Sequence, residues 1–252
     1  MTLASRRSFL QLGAGLAASF AATEALAGCS SGRSGGSSAS ITPATPPVVS
    51  PTSFPADPDA ALQRLMAGNA RFVSGNPANY GRDTARSAAI AESQTPYAII
   101  LGCADSRVVP EIVFDEGLGD LFLVRVAGNT GDDPILRGTI EYGVGVLKSI
   151  LLMVLGHENC GAAKAAVDAV TKGASVPGDI SAVLAPMLPA ARAESSQPAD
   201  TRVDATIRKN VQLQVNSLKA SPEILKPAVA AGRLKVVGAE YVISTGEVKL
   251  LS

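Results

Sequence analysis

The chain has 252 residues, of which 46% are hydrophobic, and its 22 basic and 22 acidic residues give a formal net charge of zero. This length is enough for one well-buried domain with residues left over, and the hydrophobic content excludes a wholly disordered chain. Because there is no basic excess to attract phosphates, nucleic-acid binding is excluded as a function class.

Residues 1–28 have the features of an export signal. Arg6 and Arg7 lie in the sequence Ser-Arg-Arg-Ser-Phe-Leu, a twin-arginine pattern, and a mildly apolar stretch follows over 12–22. A stretch this short cannot span a bilayer, which requires about 20 apolar residues. We therefore expect these residues to direct export by the twin-arginine route and to be removed from the mature protein.

A cysteine and a polar segment follow the signal. Cys29 comes directly after Leu-Ala-Gly, which resembles a bacterial lipobox and predicts a lipid anchor on the outer face of the membrane. The alternative is cleavage after the Ala-Leu-Ala that ends at Ala27, which would release a soluble exported protein. Residues 29–54 are rich in Ser, Gly and Pro without an apolar period, and they predict a flexible linker.

Residues 55–252 alternate helical and strand-like patterns and predict a single α/β domain. Helices are predicted over 57–74, 133–148, 162–171, 180–192 and 201–218. Strands are predicted over 97–102, 121–126, 150–155, 234–238 and 247–251. Because most of the strands are apolar throughout, we expect a mainly parallel central sheet flanked by helices. The first helix forms an N-terminal arm that packs on its own domain or on a neighbouring subunit.

Three metal-ligand side chains follow two of the predicted strands. Cys103 comes after the first strand, and His157 and Cys160 come after the third. Ligands bind beyond the carboxyl ends of parallel strands, so these side chains are expected at one edge of the sheet. Two thiolates and an imidazole suit zinc and leave a fourth position for water. A Cys103–Cys160 disulfide is the alternative, but it would not account for the neighbouring histidine.

Asp105 and Arg107 lie close behind the first of these cysteines. Two residues apart in a loop, they can form a carboxylate–guanidinium pair, which at an exposed surface contributes only ~0–1 kcal/mol. If a metal ion is bound beside this pair, the Asp105 side chain can adopt two positions. Asp105 either becomes a fourth ligand that closes the site, or turns toward Arg107 and leaves the fourth position to water.

The segments Cys-Ala-Asp-Ser-Arg at 103–107, Gly-His-Glu-Asn-Cys-Gly at 156–161 and the helical stretch 67–75 together resemble the β-class carbonic anhydrases, and the resemblance runs from Pro55 to the C-terminus. It implies one zinc ion held by Cys103, His157 and Cys160, with Asp105 and Arg107 as the catalytic dyad. It also implies that the Gln94 amide and the backbone N–H of Gly161 face the substrate. For Gln94, an exposed loop residue is an equally good interpretation.

The activity implied by this resemblance is the reversible hydration of carbon dioxide to bicarbonate and a proton by a zinc-bound hydroxide. In this hypothesis Asp105 accepts the hydrogen bond of the hydroxide and Arg107 keeps the carboxylate ionised. The alternatives are a carbonyl sulfide or carbon disulfide hydrolase on the same scaffold, and a non-catalytic zinc lipoprotein. The resemblance also implies a homodimer or tetramer. The segment 125–129 departs from the family pattern, which leaves the shape of the substrate pocket open.

Overall fold

The computed structural model describes residues 54–251, which form a five-stranded sheet in the order β2-β1-β3-β4-β5. The first four strands in this order are mutually parallel, and β5 is antiparallel to β4. The strands are β1 (Ala98–Gly102), β2 (Leu121–Arg125), β3 (Leu151–His157), β4 (Lys235–Val242) and β5 (Glu247–Leu251). The predicted mainly parallel α/β sheet is therefore confirmed.

Helices cover both faces of this sheet. They are α1 (Pro58–Val73), α2 (Thr84–Ala89), α3 (Pro110–Val113), α4 (Pro134–Gly145), α5 (Gly161–Lys172), α6 (Ile180–Leu184), α7 (Leu188–Ala193), α8 (Arg202–Ala220) and α9 (Leu225–Ala230). Alternate residues of a strand point to opposite faces, and β1 follows this rule. Ile100 packs with α1 and α3, whereas Ile99 and Leu101 pack with α4, α8 and α9.

The N-terminal arm α1 packs on its own domain. Asp57 caps this helix by accepting a hydrogen bond from the Ala60 N–H at 2.8 Å. Farther along, the buried Asn69 side chain donates to the Gly246 carbonyl oxygen and accepts from the Val248 N–H, at 2.8 and 2.9 Å. These bonds tie the arm to the turn before β5 and to its first residues.

A buried ionic cluster fixes the other side of the arm. The guanidinium of Arg64 on α1 contacts the fully buried carboxylate of Glu116 through Nε at 3.1 Å and through Nη2. Tyr97, which precedes β1, donates its hydroxyl proton to the same carboxylate at 2.8 Å, and its ring lies 4.4 Å from the Arg64 guanidinium carbon. Each charge in this cluster has an opposite charge or a hydroxyl against it, as burial demands.

The structure differs from the sequence prediction in several elements. The helix predicted over 180–192 is divided into α6, a 3₁₀ turn over Ala185–Met187 and α7, with Pro186 in the 3₁₀ turn and Pro189 in the first turn of α7. Strand β4 runs to Val242, beyond the predicted end at 238. The short helices α2, α3 and α9 were not predicted.

The export signal, Cys29 and the linker as far as residue 53 lie outside the described residues. Their predicted roles are untested by the fold. Within the described part of the chain, no helix is both long and apolar enough to cross a membrane.

Candidate metal centre

Cys103, His157 and Cys160 converge at the carboxyl edge of the sheet. Strands β1 and β3 are neighbours with Gly102 in register with Leu155, so the residue after β1 and the last residue of β3 emerge side by side. The candidate ligand atoms of the three side chains all lie within 4.8 Å of one another, and all three residues are buried. The two cysteines are not joined in a disulfide.

A tight turn carries the third side chain to this point. Asn159 adopts a left-handed backbone conformation, with φ of 58°, and reverses the chain between His157 and Cys160. Cys160 is the N-cap residue of α5. The backbone N–H groups of Ala162 and Ala163, at the start of this helix, lower the pKa of the Cys160 thiol, although burial and Cys103 outweigh them. A helix N-terminus favours negative charge, so this position suits a thiolate.

The ring of His157 presents one free nitrogen to the cluster. Its Nδ1 lies 2.9 Å from the carbonyl oxygen of Glu158, which can only accept a hydrogen bond, so Nδ1 carries the proton. The other nitrogen, Nε2, is buried and has no hydrogen-bond partner. An unpaired buried imidazole nitrogen beside two sulfurs is the donor arrangement that a zinc ion requires, so these residues fit the metal.

The thiols of Cys103 and Cys160 differ in how readily they lose a proton. The neighbouring Cys160 sulfur lowers the pKa of the Cys103 thiol, and the adjacent His157 ring and the hydrogen bond from the Gly128 N–H act in the same direction, although burial opposes the shift. The same contact with Cys103, together with burial, raises the pKa of the Cys160 thiol. The cluster therefore holds a thiolate at neutral pH, and a bound divalent cation would displace the remaining thiol proton.

Asp105 and Arg107 form an ion pair beside this cluster. The Asp105 carboxylate accepts from Arg107 Nε at 3.0 Å and Nη2 at 2.8 Å, and its Oδ1 also accepts from the Arg107 backbone N–H at 3.0 Å. The hydrogen bonds from Arg107 hold the pKa of this carboxyl well below its usual range. Asp105 Oδ2 lies 3.9 Å from His157 Nε2, so the carboxylate borders the cluster while its hydrogen bonds go to Arg107.

Comparison with known proteins then identifies the family. Residues 98–248 match the family model of carbonic anhydrase. A carbonic anhydrase of Mycolicibacterium smegmatis is 39% identical over 197 residues, which cover 78% of this chain and 95% of the relative. Among solved structures, the β-carbonic anhydrase of Coccomyxa in complex with acetazolamide is 32% identical and covers 75% of this chain and 86% of its own, with a TM-score of 0.59. A tetrameric β-carbonic anhydrase of Sordaria macrospora has the same fold at 23% identity, with a TM-score of 0.62 over 76% of this chain and 96% of its own.

The chain is a β-class carbonic anhydrase. The resemblance of the sequence to this family is thus confirmed, and the fold of its relatives extends over nearly the whole described domain.

The structure separates the two predicted substrate-binding residues of this carbonic anhydrase. Gly161 is the first residue of α5, next to Cys160, so its N–H lies in the first turn, where the helix provides no backbone partner. Gln94 instead precedes β1 and lines a surface cavity with Tyr142 and Leu147. Because Cys103 follows the same strand, Gln94 lies at the opposite end of β1 and does not join the site of its own chain. The two residues therefore lie apart within a single chain, and the substrate-binding roles of Gln94 and Gly161 stay predictions.

Sequence reasoning missed two further residues at this carbonic anhydrase site. Arg125, at the end of β2, donates to the carbonyl oxygen of Cys103 at 2.9 Å and to that of Asp105 at 2.7 Å, and so fixes the loop that carries both. Gly128 donates its backbone N–H to Cys103 Sγ at 3.4 Å. Both residues lie in the segment 125–129. Its departure from the family pattern is the only feature of the sequence that drew attention to this segment, and it does not indicate these contacts.

Proposed function

We propose that this chain catalyses the reversible hydration of carbon dioxide to bicarbonate and a proton, with one zinc ion held by Cys103, His157 and Cys160. The observation that carries this proposal is the convergence of two sulfurs and an unpaired imidazole nitrogen beside an aspartate whose hydrogen bonds go to arginine. β-Carbonic anhydrases are zinc enzymes, and the chain belongs to that family. When bound, zinc would supply the Lewis acid that activates water for attack on carbon dioxide.

The chain's own groups orient the water and the substrate. Asp105 Oδ2 lies 3.9 Å from His157 Nε2, and as an ionised oxygen it accepts the hydrogen bond of the attacking water. Arg107 holds this carboxylate ionised and prevents it from rotating freely. The Gly161 N–H, which the helix leaves without a backbone partner, provides a donor for an oxygen of the substrate.

The rival functions have less support. A non-catalytic zinc lipoprotein requires a fourth protein ligand, and Asp105, the carboxylate that borders the cluster, instead accepts hydrogen bonds from Arg107. Hydrolysis of carbonyl sulfide or carbon disulfide would use the same ligands, but the named relatives described above are carbonic anhydrases. Neither rival is favoured over hydration.

Zinc analysis coupled to stopped-flow carbon dioxide hydration tests the proposal. We expect about one zinc per chain, loss of hydration when a chelator removes the metal, and recovery when zinc is returned. Cys160→Ser should lower both zinc content and hydration rate, whereas Ser195→Ala, which lies in the turn after α7, should change neither. Hydration that persists without metal would contradict the proposal, as would a reduced, folded protein that binds no zinc.

We further infer that the active protein is a homodimer or tetramer. Ile135 and Tyr142 on α4, with Val146 just beyond the helix, form an exposed apolar stripe because their spacing places them on one helix face. The Tyr142 ring lies 6.3 Å from that of Phe122 on β2, so the stripe adjoins the edge strand of the sheet. An exposed apolar stripe next to an edge strand suits burial against a second copy of the chain.

We also propose that the protein is exported by the twin-arginine route and held at the outer face of the membrane through lipid on Cys29. The support is the sequence of residues 1–29, followed by the polar linker to residue 54. Cleavage after Ala27 instead would release a periplasmic or secreted enzyme. Mass spectrometry of the mature N-terminus separates these outcomes, because only the first leaves a lipidated cysteine at residue 29.

A further inference from the structure

The loop that follows β2 reaches the metal ligands through a single backbone group. Gly128 lies in this loop and donates its N–H to Cys103 Sγ. Gly128 and Asn129 both have left-handed backbone conformations, with φ of 82° and 44°. A Cβ on Gly128 would lie 2.6 Å from Met187 Sδ, so a side chain here would strain the backbone and displace Met187. The N–H is therefore held against the sulfur by a constrained peptide.

Helix α8 holds this loop from the far side. Asn210 is fully buried and its Nδ2 donates to the carbonyl oxygen of Gly128 at 3.0 Å. One turn later, Gln214 Oε1 accepts from the Gly131 N–H at 2.8 Å. Since residues four apart share one face of a helix, both amides act on the same loop.

The helix itself is fixed against the strand that carries His157. A Cβ on Gly156, the residue before that ligand, would lie 2.7 Å from a methyl carbon of Val211 on α8. A Cβ on Gly238 of β4 would lie equally close to another methyl carbon of Val211. The glycines therefore let α8 approach the sheet closely, and Asn210 acts from a rigid support.

We propose that Asn210 is a positioning residue for the zinc site, acting through the Gly128 peptide on the thiolate of Cys103. The inference rests on the proposed zinc function. A hydrogen bond from an amide to a thiolate stabilises its charge and limits its rotation, and outer contacts of this kind typically change metal affinity or activity by about 10–100-fold. Asn210 anchors the carbonyl on one side of Gly128, so that the N–H on the other side stays aimed at the sulfur.

Metal affinity and the spectrum of the cobalt-substituted protein test this role. For Asn210→Ala we expect zinc affinity to fall about tenfold in competition with a chromophoric chelator. The thiolate-to-cobalt charge-transfer band should also shift. Val215→Ala, which removes buried contacts from the same helix without touching the loop, is the control for lost stability. Ser217→Ala removes a hydrogen bond to Asp132, farther along the loop, and should leave both readouts unchanged.

Unchanged zinc affinity and an unchanged cobalt band in Asn210→Ala would overturn the inference, and so would an equal shift in Val215→Ala. Should Asn210→Ala fail to fold, the wild-type protein loaded with cadmium-113 provides the test. The Gly128 amide proton should then show coupling to the metal nucleus through Cys103 Sγ, and its absence would overturn the inference. If wild-type protein binds zinc while Asn210→Ala is unaffected, only this inference fails. If wild-type protein binds no zinc, the proposed function fails as well.

Discussion

Asp105 accepts two side-chain hydrogen bonds and one backbone hydrogen bond from Arg107, and its Oδ2 lies 3.9 Å from His157 Nε2. The pair thus presents a charged oxygen to the metal cluster while the guanidinium restrains it. Of the two states that the sequence left open for this aspartate, the structure contains the one in which it faces arginine.

Replacing the carboxylate should separate catalysis from metal binding. In Asp105→Ala we expect the rate of carbon dioxide hydration to fall about 100-fold, because the water loses the group that orients it and accepts its hydrogen bond. The zinc content should stay near the wild-type value, since Asp105 is not one of the three clustered ligands. Stopped-flow hydration and zinc analysis of one preparation measure both quantities.

Asp168→Ala is a matched control for this substitution. Asp168 is a partly exposed aspartate on α5 that pairs with Lys172 one helical turn later, so its removal should leave hydration unchanged. Full activity in Asp105→Ala, or loss of its zinc, would contradict the role assigned to this carboxylate.

Proton release should depend on external buffer. His157 is the chain's single histidine and is assigned to the metal, so no free imidazole remains to carry the proton away near neutral pH. The hydration rate, followed by stopped flow at constant ionic strength, should therefore rise with the concentration of an imidazole-type buffer and level off. A rate that is independent of buffer concentration would show that another group of the protein carries the proton.

The apolar stripe on α4 should determine the assembly state. Ile135 is 79% exposed, so Ile135→Glu adds a charge with little effect on the fold of one chain. If a second copy covers this residue, the substitution should shift the protein toward monomer in sedimentation velocity. Ile180→Glu, on α6, is the comparison because this isoleucine is also exposed. Equal sedimentation of wild-type protein and Ile135→Glu would exclude the stripe as an interface.

Asp115 should contribute stability that disappears in acid. Its carboxylate is fully buried and accepts from Arg71 Nε at 2.6 Å and from the backbone N–H groups of Ala78 and Asn79 at 2.8 and 3.0 Å. Burial opposes ionisation, but these bonds outweigh it and lower the pKa of the group. The folded state therefore binds this proton less readily than the unfolded chain, and the stabilisation is present above about pH 4 and is lost as the pH falls below it.

Urea unfolding of wild-type protein and Asp115→Asn at several pH values measures this contribution. We expect the variant to be less stable at neutral pH by about 2 kcal/mol, as for hydrogen bonds to a charged group. The difference should shrink as the pH is lowered below 4. Asp59→Asn, at an exposed carboxylate, should follow the wild-type profile. A difference that is constant with pH would mean that the Asp115 carboxylate does not titrate as described.

The position of the three candidate metal ligands could be predicted from the sequence because these residues lie at or just after the ends of apolar strands. That Cys103 and His157 lie close together follows from the rule that the carboxyl ends of parallel strands share one edge of the sheet. Arg125 and Asn210 could not be found in this way, since Arg125 acts on a carbonyl 22 residues away and Asn210 on one 82 residues away. No local pattern marks such contacts.

The differences in secondary structure also have local causes. Strand β4 continues past residue 238 although Glu240 interrupts its apolar run, because this carboxylate is buried and pairs with Arg208 at 2.8 Å. Helices α2, α3 and α9 have four to six residues each, which is too short for an apolar period to show. Gln94 was assigned by resemblance alone, and only its place before β1 showed that it belongs to the other end of the strand.

The pairing of β1 with β3 has a consequence for the order of assembly in the cell. Cys103 and His157 become neighbours only when these two strands adopt their register, so an unfolded chain offers no preformed pocket to a metal ion. The complete set of three ligands therefore forms only once β1 and β3 have paired. If the chain uses the proposed twin-arginine route, which carries folded proteins, zinc would bind before the protein crosses the membrane.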